Sequence, residues 1–82
     1  MTLEQVSKKY QDGTIPEKGK GELASLFIEQ FGYAGKNSFF NIMLKTKIAT
    51  PIEWAWIEVK FQEYYEYYQS IQELILQEET EA

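Results

Sequence analysis

At 82 residues the chain has room for one domain, near the size at which a lone core is only marginally sufficient. It has no cysteine and no histidine, which excludes disulfides, thiolate metal sites, the thiol nucleophile and the commonest general base. Its net charge of -5 is unevenly spread: residues 1–50 carry seven lysines against five acids (+2), residues 51–82 carry Lys60 against eight acids (−7).

All eight cations are lysine, so the bidentate guanidinium that usually reads phosphate and guanine is missing. No apolar stretch approaches the ~20 residues that span a membrane, and residues 1–13 are amphipathic rather than a signal-peptide run. A cytoplasmic protein with no membrane contact is the expectation.

In chain order, Thr2-Leu3-Glu4-Gln5 has the capping-box pattern and predicts a short helix with Leu3, Val6 and Tyr10 on one face, stopped at Asp12-Gly13. Ile15-Pro16 leads into Glu17-Lys18-Gly19-Lys20-Gly21-Glu22, which reads as a flexible polar connector. A phosphate loop would need a preceding strand and Gly-x-x-x-x-Gly-Lys-Ser/Thr spacing, and neither is present.

A second helix is predicted from Gly21 to Phe31, with Leu23, Phe27 and Phe31 as its ridge, widened by Leu26 and Ile28, and Gly32 closing it. A third is predicted from Ser38 to about Lys47, with Asn37-Ser38 as its cap and Phe39, Phe40, Ile42 and Met43 inward.

The fourth helix organises the rest. Thr50-Pro51-Ile52-Glu53 joins a capping box to a proline in the first turn, and no glycine or proline follows. A run from Pro51 to about Glu78 would be about 42 Å long, against a diameter of about 30 Å for a compact chain of this length. Trp54, Ile57, Phe61, Tyr64, Tyr68, Ile71 and Ile75 follow at steps of three and four, the seam of a helix packed lengthwise on another. The expected fold is all-α, a single helical domain with three short helices on a long fourth (residues 51–79) that outruns them.

Gly32-Tyr33, Phe39, Lys45 and Thr50-Pro51-Ile52-Glu53-Trp54 fall without a gap on the spacing of the second half of an AraC-type helix-turn-helix, which the segment from Phe31 to Trp54 resembles. The resemblance covers less than a third of the chain. It implies DNA binding, with Lys36, Asn37, Ser38 and Asn41 toward the major groove and Lys45 near phosphate. The family usually has arginine where Asn41 stands, glycine at Ile48 and a small residue at Ile28, and its members carry two such motifs where this chain has room for one. A helical turn that merely shares the geometry is the alternative.

Catalysis has little support. Glutamates at helical spacing, such as Glu58, Glu63 and Glu66, read as a solvated face rather than a metal site, so no enzyme, cofactor or metal is expected. The tyrosines are more informative. Tyr64, Tyr65, Tyr67 and Tyr68 spread around more than half of the helix circumference, too far for one neighbour to bury. Past them Ile71, Leu74, Ile75 and Leu76 form an apolar patch near the chain end, open either to the N-terminal helix or to another molecule.

Tyr64, Tyr67, Tyr68, Ile71, Leu74 and Ile75 are therefore the candidate protein-interaction residues. The acidity around them suits a partner with a basic surface, such as a nucleic-acid-handling protein, or a second copy of the chain (homodimer). Size and charge are similar to those of small phage-encoded anti-defence proteins, anti-CRISPR inhibitors among them; that analogy implies an inhibitor. A helix-turn-helix transcriptional regulator is the alternative.

Overall fold

The structure, a computed structural model, describes the backbone of residues 2–81 and the side chains of residues 2–76. The described residues form four helices and no strand: α1 (Leu3–Gln11), α2 (Glu17–Phe31), α3 (Asn37–Met43) and α4 (Pro51–Glu81). α2 lies against α3 and α4, and α1 packs on the same pair.

α1 begins as its sequence dictates. The Gln5 amide donates to Thr2 Oγ1 at 3.2 Å, and the Thr2 amide donates to Gln5 Oε1 at 2.9 Å. The helix sends Val6, Ser7 and Tyr10 inward. The Ser7 hydroxyl donates to the Met43 carbonyl at 2.8 Å and accepts from Gln11 Nε2, so a buried polar group on α1 satisfies the end of α3.

α2 starts four residues before the predicted Gly21. Residues 17–22 are its first turns rather than a connector, with Pro16 at the cap position and the Lys20 amide bonded to the Pro16 carbonyl at 3.0 Å. Packing overrides the weak helix preference of glycine here. Gly19 is buried, and a Cβ there would come within 2.6 Å of the Tyr68 ring and 2.8 Å of Ile15. The missing side chain is what lets α2 close on α4. The helix ends at Gly32 (φ 74°), where the Gly32 and Tyr33 amides both donate to the Ile28 carbonyl.

α3 is shorter than its predicted extent to about Lys47. Its cap position is Lys36 in a helical backbone conformation, so no side chain caps it and Ser38 falls inside the first turn. At the other end the Asn41 carbonyl accepts from the amides of Thr46 and Lys47, and Lys45 takes a left-handed backbone (φ 65°). Those bonds turn the chain away after Met43.

The core is aromatic at its centre. The Phe27 ring lies 5.0–5.7 Å from the rings of Phe31, Tyr33, Phe39 and Trp56. Val6, Tyr10, Ile15, Leu23, Ala24, Ile42, Met43, Ile57 and Phe61 complete it. α4 contributes from its first half, and its 31 residues account for the molecule's long axis of 47 Å. The radius of gyration, 14.0 Å, exceeds the ~12 Å of a compact chain of this length, because the helix projects.

Candidate protein-interaction surface

The predicted interaction residues all lie on α4, and their surroundings change along it. Thr50 and Glu53 set its start: the Thr50 amide donates to Glu53 Oε1 at 2.9 Å and the Glu53 amide donates to Thr50 Oγ1 at 3.3 Å. The buried Glu53 carboxylate also accepts from the Tyr33 hydroxyl through Oε2. Burial alone would raise its pKa. The hydrogen bonds from Tyr33 and Thr50, with the nearby Lys47 ammonium, outweigh that and hold the carboxyl below its ordinary value. Lys47 itself stands 4.1 Å over the Tyr33 ring.

One and two turns further on, Ile57 and Phe61 are fully buried. The tyrosines then divide. Tyr65 stacks on Phe61, its hydroxyl donates to Asp12 Oδ2 at 2.8 Å, and the Lys9 ammonium lies 5.0 Å from its ring. Tyr68 fills the space above Gly19, and Tyr64 is half-buried against the same side of α2. Burial, and then the Glu22 carboxylate, push the phenols of Tyr64 and Tyr68 up. Tyr67 is 61% exposed.

Around these rings two open clefts meet. One of about 540 Å³ is floored by Gly21 and walled by Lys18, Glu22, Lys36 and Tyr64. The other, about 370 Å³, runs between Lys18, Glu22 and the rings of Tyr64, Tyr67 and Tyr68. Gln72 Nε2 reaches the Thr14 carbonyl at 3.4 Å, tying α4 to the loop between α1 and α2. Beyond that tie Leu74 is 59% and Ile75 49% exposed, while Ile71 is half-buried. The six candidates thus separate into Tyr64 and Tyr68, which pack on α2, the half-buried Ile71, and Tyr67, Leu74 and Ile75, which face solvent. The N-terminal helix reaches Tyr65 through Lys9, and the loop behind it reaches Gln72.

The residues implied by the helix-turn-helix resemblance lie elsewhere. Lys36, Asn37 and Asn41 are exposed along α3 and Ser38 is half-buried. Lys45 is exposed beyond the helix, at the left-handed turn. Sequence reasoning missed the corner where α3 passes into α4. There Leu44, Ile48 and Ile52 stand 52%, 92% and 76% exposed beside Lys45 and Lys47. Ile52 lies off the α4 seam on a helical wheel, and that was the readable signal.

Among the described residues no group of three or more acids is placed to hold a metal ion, and no helix is long and apolar enough to cross a membrane. No buried side-chain nitrogen or oxygen among them lacks a partner. No protein-family model, curated protein or solved structure matches this chain.

Proposed function

We propose that the chain is a small non-enzymatic interaction protein that docks on a basic protein surface through the distal half of α4. A component of nucleic-acid-handling machinery is the partner class its charge favours, and inhibition is the expected consequence of occupying such a surface. One observation carries this reading. Tyr67, Leu74 and Ile75 are exposed on a helix that carries six acids and no cation from Phe61 onward.

The test uses Leu74→Gln/Ile75→Gln, two exposed positions whose change leaves the core intact. Affinity capture from the native host with the wild-type chain should retain a basic protein that the variant loses, and rising salt should weaken the retention. Capture of the same proteins by both would refute the assignment.

A second reading, a helix-turn-helix regulator, draws on the exposed Lys36, Asn37, Asn41 and Lys45 around α3. It predicts binding to duplex DNA at low salt that falls steeply as salt rises. An acidic docking protein should show no such binding at any salt concentration.

A further inference from the structure

The two ends of the molecule carry apolar surface of opposite charge. From Leu44 to Glu53 the corner carries Lys45 and Lys47 against one buried acid, Glu53, and exposes Leu44, Ile48 and Ile52. From Phe61 onward it has six acids and no cation, and the free end of α4 exposes Leu74 and Ile75 beside Glu73. Lys45 stands exposed at the corner, while Lys47 is half-buried over the Tyr33 ring and near the Glu53 carboxylate. The corner runs into the first turn of α4 and the patch lies near its far end, about 33 Å along the rod at 1.5 Å per residue from Ile52 to Leu74. One copy therefore cannot bring its own two patches together.

We propose that the acidic apolar end of α4 in one copy seats on the basic apolar corner of a second copy, a head-to-tail contact. It rests on the reading of the α4 end as an interaction surface and names one occupant for it. Contact tail to tail would set glutamates against glutamates, and corner to corner would set lysines against lysines; tail on corner pairs opposite charges and covers apolar surface on both. Such a contact is heterologous: each added copy brings an unused corner and an unused tail.

The experiment is sedimentation of the full chain over a wide concentration range, with two variants that are also checked for native helicity by circular dichroism. The wild type should grow past two copies with concentration and shrink as salt rises. Ile48→Glu/Ile52→Glu, which spoils only the corner, and Leu74→Gln/Ile75→Gln, which spoils only the tail, should each associate at least about tenfold more weakly. An equimolar mixture of the two should recover a one-to-one pair, because one supplies the intact tail and the other the intact corner. A corner variant that self-associates like the wild type, or a mixture no heavier than its components, overturns the proposal. A wild type that stays monomeric throughout, while the tail variant still loses its captured partner, overturns it and leaves the interaction reading standing.

Discussion

Replacing Gly19 with alanine sets two effects of opposite sign against each other. Alanine in a helix interior is favoured over glycine by about 0.8–1 kcal/mol. At position 19, however, the new methyl would sit 2.6 Å from the Tyr68 ring and 2.8 Å from Ile15. Tyr68 is half-buried and can swing outward, but Ile15 is fully buried and cannot. Overpacking of this kind costs typically about 1–3 kcal/mol, so the clash outweighs the gain and the variant should be net destabilised by up to about 2 kcal/mol. Gly21 provides the control. It lies in the same helix, two residues on, and a Cβ there would have the Lys36 ammonium as its nearest neighbour at 3.7 Å, an ordinary separation. Gly21→Ala should therefore gain close to the full propensity term. In a thermal melt, 1 kcal/mol moves the midpoint of a chain this size by roughly 4–8 °C, so the two variants should separate in opposite directions. Adding Tyr68→Ala to Gly19→Ala should recover part of the loss, giving a measurable coupling energy. If both alanine variants stabilise equally, α2 does not approach α4 as closely as described, and the explanation for the glycine fails.

Glu53→Gln should lower stability near neutral pH by about 1–3 kcal/mol, since a buried carboxylate gives up charge-assisted bonds from Tyr33 and Thr50. Because the folded-state pKa of Glu53 lies below its unfolded value, that stability is present above the ordinary carboxylate range, about 4.3, and lost as pH falls through the folded value. Melting points measured against pH should show a smaller acid-side decline in the variant; identical declines would remove Glu53 from the account. Lys45→Gly should stabilise by about 0.5–1 kcal/mol in urea unfolding, because φ 65° suits glycine better than a side chain with a Cβ. Ser7→Ala should cost about 1–3 kcal/mol in the same assay, as it strips the Met43 carbonyl of its donor.

Much of this architecture was legible because local signals and tertiary packing agree. The capping boxes at Thr2 and Thr50, Gly32 as a left-handed stop, and the seam through Ile57 and Phe61 each specify what the folded chain adopts. The failures fall where the two levels disagree. Gly19 and Gly21 read as a connector because glycine disfavours helix, and only the presence of Tyr68, 49 residues away, explains why one of them is needed inside it. Asn41 and Lys45 gave no local sign that α3 would stop early, since the bonds that stop it run to backbone carbonyls. On the interaction surface the seam treats Tyr64, Tyr68 and Ile75 alike. Their differing burial depends on how far α2 and the α1–α2 loop extend beside α4, which periodicity does not encode. The Leu44, Ile48 and Ile52 corner escaped notice for a related reason: isolated apolar residues near a turn look like core until neighbours are placed around them.

The tie between Gln72 and Thr14 marks where α4 passes from its buried stretch to its exposed end. On the Thr14 side, substitutions at buried positions such as Ile57 and Phe61 disturb residues that hold the chain together. On the other side, Leu74 and Ile75 contribute little to keeping the chain folded, and their identities are free to change at small thermodynamic cost. Under the proposed docking role, a few changes past the tie would alter the surface offered to a partner with no compensating repair in the core.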